Sequence, residues 1–370
     1  MTLDLARMAT KHRIRKEIYS LFHLRDTTRK WQIPMLTALC VGLPLVVGLY
    51  FGAMGLAVIA SLSGMIILYL PSTGSLTNRM STLLISAFGF MASFLLGQLF
   101  SFGQVAAVVA FGLFTLAVHW IILYYKAAPP GSFFFIMIAA LSISLPFDLQ
   151  GMPERVGLLA LGLLFSSFVA MAHLLYLSTK IDMRAQPRTP SIFMKNRAAD
   201  FWEAIIMAVF MALSLGIGYI LEMEKPYWIP ISCAAVMQGA SRYHIWQRTF
   251  HRILGTFLGM GLVWGLLWIS NSMMMLCIYI ILLQLIVEFL VVRNYALAVI
   301  FITPLAIFLS EAGDPLLNMP ELLVELRLKD TLIGSFIGAI GGWTLHREKL
   351  RFATIRGIRI INYEIGKRRR

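Results

Sequence analysis

The chain has 370 residues, 59% hydrophobic and 14% charged, with a mean hydropathy of +0.77. So little polar surface cannot cover that apolar volume in water, which excludes a soluble globule and predicts an all-α polytopic integral membrane protein. The net charge of +14 does not point to nucleic acid, because the basic residues flank apolar stretches instead of lining a folded face; the anionic headgroups of a lipid bilayer are the expected partner.

In chain order, residues 1–31 form a basic arm with eight Lys or Arg and no long apolar core, so they read as a retained cytoplasmic segment and not a cleaved signal. Twelve apolar stretches follow, at 33–51, 53–70, 80–100, 105–125, 133–147, 156–177, 204–221, 227–239, 253–269, 273–292, 295–309 and 331–345. They group into a first six-span unit over 32–177 and a second over 201–345. A basic, Pro-containing linker over 178–200 joins them, and a basic tail over 346–370 closes the chain. With the N-terminus inside, 28 of the 32 Lys and Arg fall on cytoplasmic segments, so the charge bias predicts a multi-pass protein of the cell (inner) membrane with both termini cytoplasmic.

The two units share an orientation and read as parallel repeats. Arg79 precedes Gly89 much as Arg248 precedes Gly259, and Arg155 and Arg327 each stand seven residues before a glycine, Gly162 and Gly334. The fifth and eleventh stretches are short and marked by Pro129, Pro130, Pro146 and Pro304, with Thr303-Pro304 interrupting the eleventh. Short or broken segments at matching places point to a transport path between repeats, although shallow helices give the same pattern.

The stretch Pro226 to Leu267 holds a short apolar segment, a basic hinge carrying Arg242, His244, Arg248, His251 and Arg252, and a span with Gly255/Gly259 and Gly261/Gly265 at helix-packing spacing. Together with the Gly334, Gly338, Gly342 face of the last span, these glycines leave room for a homodimer. Cys40, Cys233 and Cys277 lie in apolar segments with no paired spacing, which argues for core packing and against a disulfide framework or metal site.

Three passages carry a family resemblance. PYWIPISCAAVMQG with RTFHRILGTFLG, NYALAVIFITPLAIFL from Asn294, and RLKDTLIGSFIGAIGG from Arg327 resemble, in order, the fusaric-acid-resistance-like family, which includes aromatic acid exporters and, more distantly, plant malate channels. The first half resembles it through PPGSFFFIMIAALS and the Arg155/Gly162 pair. Many members carry a large cytoplasmic domain that finds no counterpart here beyond the linker and tail. The resemblance implies a permease-like core exporting small organic acids.

Candidate substrate contacts follow. Arg248 and Arg252, four apart on one helix face, can collect a carboxylate in bidentate geometry or serve as inside-facing anchors. Tyr227 and Trp228 can stack on an aromatic acid or anchor at the interface. Asn294 and Thr303 flank the short eleventh span and suit hydrogen bonds to substrate, with helix capping the alternative for Asn294. For coupling or gating, Glu288 is the one acid well inside an apolar stretch, with Gln284 one turn before it; the alternative is a carboxylate snorkelling beside Arg293. Arg327 and Asp330, three apart at the outer mouth, read as an ion pair or a gate. His119 and His173 read as packed, hydrogen-bonded side chains.

The absence of a phosphate-binding loop, a zinc-protease motif and a nucleophile elbow argues against an enzyme, and no cofactor is expected. The reading is a secondary exporter of small organic anions, with aromatic carboxylic acids the favoured class. A passive anion channel or a non-transporting membrane scaffold are the alternatives.

Overall fold

In a computed structural model the chain is described at residues 24, 26, 27, 29–180, 197–312 and 320–347. Most of the basic arm, the linker and the tail lie outside the described residues. Among those described, all regular structure is helical, as expected where every backbone group must find its partner within its own segment.

The described residues form twelve α-helices: α1 (Gln32–Phe51), α2 (Met54–Leu62), α3 (Leu76–Leu99), α4 (Gln104–Tyr124), α5 (Phe133–Ile143), α6 (Met152–Ser178), α7 (Arg197–Ile220), α8 (Trp228–Met237), α9 (Arg242–Ile269), α10 (Met273–Leu290), α11 (Tyr295–Glu311) and α12 (Pro320–Leu345). Seven of them, α1, α3, α4, α6, α7, α9 and α10, are long and apolar enough to cross a membrane. The others are short, except α12, whose first half carries Glu321, Glu325, Arg327, Lys329 and Asp330.

Apolar side chains such as Ile85 and Trp268 point outward, while hydroxyls such as Ser93, Thr115, Ser142 and Ser166 are wholly buried. That is the pattern of helices that meet lipid outside and pack through small polar residues inside. The three cysteines are free and buried, as expected of core residues.

Three expectations change. The stretch 53–70 is not one helix: α2 tightens into a 3-10 segment, Ser63–Tyr69, that is buried throughout. There Gly64 lies against the backbone of Cys40 and Val41, where Pro44 removes the donor that the Cys40 carbonyl would use. The basic hinge is a helix. Ser241 caps α9 by accepting from the His244 N–H, so Arg242 to Arg252 are helical and the turn shrinks to Gln238–Ser241. Pro304 does not break α11, which runs through it; the Ile300 carbonyl loses its donor, and Gly259 of α9 packs against that carbonyl and Thr303.

Helix pairing is set by glycines. Gly162 of α6 seats against the Ala60 carbonyl and Ser63, and Gly334 of α12 against the Ile229 carbonyl and Ser232. Gly89 meets Phe135 of α5, and Gly255 meets Val299 of α11. Between the halves, α4 packs on α7 with Gly112 facing Ala212, and α10 packs on α1 with Ile281 facing Gly42. Gly261 and Gly265, in contrast, face open space within the chain.

Candidate functional site

Helix α8 is the hub of the second half. All ten of its residues are buried, and α5, α7, α9 and α12 pack around it. Pro230 sits in its first turn, where a missing N–H costs no helical bond. A ten-residue apolar helix cannot cover itself, so its neighbours do.

Three guanidinium groups follow α8 from end to end. Arg327 of α12 lies over the Trp228 ring at 3.4 Å from its centroid. Its Nη2 donates to the Ser310 hydroxyl at 2.7 Å and stands 3.7 Å from Glu311 Oε1. One turn along, Arg252 Nη2 donates to the Ser232 hydroxyl at 3.3 Å. At the far end, Arg248 Nη1 donates to the Ala235 carbonyl at 2.9 Å and to Gln238 Oε1 at 3.4 Å, with its guanidinium 4.6 Å from the Tyr295 ring centroid. The partners Trp228, Ser232 and Ala235 are three to four residues apart, so the positions on α8 that the guanidiniums contact rise by about 5 Å from one to the next. This is a ladder of cations on a buried helix.

The ladder has open hydrogen-bonding capacity. Trp228 Nε1, Arg252 Nε, Asp330 Oδ1 and Ser335 Oγ are buried with no partner among the described residues. Buried polar atoms without partners are uncommon and costly, and the two N–H donors among them, Trp228 Nε1 and Arg252 Nε, invite an acceptor atom. At the Arg327 end, Lys225, Glu311, Leu323, Leu326, Arg327 and Asp330 line a small pocket. Glu311 there accepts from Lys225 Nζ at 3.0 Å, so one buried acid holds two cations.

Of the residues expected from sequence, Arg248, Arg252, Tyr227, Trp228, Arg327 and Asp330 gather at or beside α8. Arg248 and Arg252 share a face as predicted. The Arg327–Asp330 ion pair does not form: Arg327 turns to Glu311 and Ser310, which come closer across the α11–α12 contact than its own helix neighbour. Asn294 caps α11 by accepting from the Leu297 N–H, and the Thr303 hydroxyl donates to the Val299 carbonyl of its own helix. Both therefore serve the frame of α11. His119 is hydrogen-bonded to Ser132, as read from sequence.

Glu288 lies elsewhere, on α10 against the start of the chain. It does not snorkel beside Arg293. Its carboxylate is buried, accepting from Arg29 Nη1 at 2.9 Å and Gln284 Nε2 at 3.2 Å. Sequence reading missed Arg29, Ser232, Lys225 and Glu311. Glu311 alone carried a signal, an acid at the end of an apolar run.

Residues 205–341 match the family model described as fusaric acid resistance protein-like. Over those residues the second half of this chain is similar to that family. The matched region contains α8 to α11, the last two thirds of α7, most of α12, and every rung of the ladder. A further match, 33% identical over 177 residues, is to the uncharacterized membrane protein YvaC of Bacillus subtilis (strain 168). It covers 46% of this chain and 27% of that protein, so the chain spans about a quarter of the relative it matches. No solved structure matches. That relative is named as a membrane protein, in keeping with the apolar helices found here.

Proposed function

We propose that this membrane protein is a secondary exporter of small organic anions, with aromatic carboxylic acids as the preferred class. The observation that carries the reading is the ladder: guanidiniums of Arg248, Arg252 and Arg327 along a buried helix, with Arg252 Nε and the Trp228 indole N–H still lacking acceptors. A carboxylate supplies the acceptors and the negative charge such a path requires. Arg248 collects the anion at the cytoplasmic mouth, Arg252 binds it midway, and Trp228 with Tyr227 offers aromatic faces beside Arg327. Asp330 gates the outer end, and Glu288 carries the coupling proton on α10.

Twelve spans in two parallel six-helix repeats frame this path. What supports the repeats is that each main pairing has a counterpart: α3–α5 and α9–α11, α2–α6 and α8–α12, α4–α7 and α10–α1. Gly162 at Ser63 and Gly334 at Ser232 are such a matched pair. Arg79, donating to the Pro71 and Ser72 carbonyls after the 3-10 segment, is the counterpart of Arg248 at the end of α8. The charge bias supports placing both termini in the cytoplasm.

The test is uptake of labelled 4-hydroxybenzoate into inside-out vesicles, comparing the natural chain with Glu288→Gln and Arg252→Ala. Accumulation driven by a pH gradient and lost in both variants is expected. Uptake without gradient dependence, accompanied by current under voltage, would assign passive conduction. No uptake above empty vesicles would remove the transport reading.

A further inference from the structure

At the N-terminal end of α1, the last residues of the arm close over α10. Arg29, Lys30, Trp31, Glu288, Phe289 and Arg293 are among the residues lining a small, half-open pocket. Three cations and one carboxylate converge there. The carboxylate is already held by Arg29 and Gln284, so the rim keeps a positive excess. Arg293 lies at the end of α10 with its guanidinium 6.0 Å from the Phe289 ring centroid, at the edge of the pocket.

The surroundings say where such a pocket sits. Trp31 is 59% exposed at its mouth, the placement of an interfacial indole. Beyond it, α1 exposes Met35 and Leu39, and α10 exposes Leu282 and Ile286. A phosphate at the rim thus has apolar helix faces beside it on which acyl chains can lie. The cations belong to the end of the bundle that the charge bias places on the cytoplasmic leaflet, where anionic lipids concentrate.

We propose that this pocket binds a phosphate group, that of an anionic phospholipid headgroup, between Lys30 and Arg293 with Arg29 behind them. The phosphate completes the charge balance that Glu288 alone leaves open, and seating it holds the arm against α10. The pocket is separate from the cation ladder on α8 and shares with the proposed transport machinery only Glu288, whereas Lys30 and Arg293, which would hold the phosphate, have no part in it.

Purified full-length protein, stripped of lipid, is titrated with phosphatidylglycerol, with phosphatidylcholine and with glycerol 3-phosphate, and bound lipid is counted by native mass spectrometry. Phosphatidylglycerol is expected to bind in preference to phosphatidylcholine. Lys30→Ala with Arg293→Ala weakens that binding about 30-fold, while Lys30→Arg with Arg293→Lys retains it and shows that the fold is intact. Competition by glycerol 3-phosphate at equal concentration would keep the phosphate site but assign it to a soluble ligand. Unchanged binding in the alanine pair would overturn the proposal. So would an equal loss in a control pair, Lys126→Ala with Arg347→Ala, which removes the same charge elsewhere.

Discussion

Arg29 reaches Glu288 across 259 positions of sequence, its Nη1 standing 2.9 Å from Glu288 Oε2. The carboxylate side chain is 4% exposed and the guanidinium 20%, so the acid is the member that depends on the pair. Removing its partner strands a buried charge.

Arg29→Ala is therefore expected to destabilise the protein by about 3 kcal/mol, the cost of leaving a buried carboxylate unpaired. Glu288→Gln costs less, because Arg29 can turn to water. The double variant recovers most of the loss. Thermal unfolding of the four proteins in one detergent measures the coupling, and additive losses would show that the pair contributes nothing.

Glycine substitutions should separate packed from free positions. A Cβ at Gly162 or Gly334 would press into the Ala60 or Ile229 carbonyl, which belongs to backbone and cannot give way. Gly162→Ala and Gly334→Ala are expected to destabilise by about 1–3 kcal/mol. Gly261→Ala meets nothing within 4 Å and should be neutral or stabilising by up to ~1 kcal/mol. The melting temperatures of the three variants decide this, and a loss at Gly261 would place a partner on that face.

Trp228→Phe keeps a ring beneath Arg327 and deletes an indole N–H that has no partner. Stability should hold, since no hydrogen bond within the protein is lost. Transport should weaken, with an apparent KM for the organic acid raised roughly tenfold, the value of one hydrogen bond to a charged acceptor. An unchanged KM would take the indole N–H out of the path.

Sidedness is open to direct test, because the three native cysteines are buried. Cysteines placed at Ser101 and Asn271, between α3 and α4 and between α9 and α10, should react with an impermeant maleimide from outside intact cells. One at Lys126 should react only after permeabilisation. Labelling of Lys126→Cys from outside would overturn the twelve-span arrangement.

Much of the fold was legible in the residues. All twelve apolar stretches became helices, because a chain in lipid has few other ways to satisfy its backbone. Helix limits were less legible around Arg242 to Arg252, where charge suggested a turn but the Ser241 cap starts α9 early. Arg248 and Arg252 could be placed on one face from their spacing alone. Their partners on α8 could not, since nothing in an i, i+4 pattern says what the face meets.

Composition and charge distribution thus determined by themselves that this is a helical membrane protein, while glycine spacing marked candidate packing faces of which Gly255/Gly259 and Gly334/Gly338/Gly342 pack within the chain and Gly261/Gly265 do not. Only the tertiary structure decided how the buried charges are shared. Arg327 pairs with Glu311 and not with Asp330, and Glu288 with Arg29 and not with Arg293. The reason is physical: a hydrophobic period reports the local helix, whereas an ion pair requires two groups within about 4 Å, and helix packing brings together residues remote in sequence.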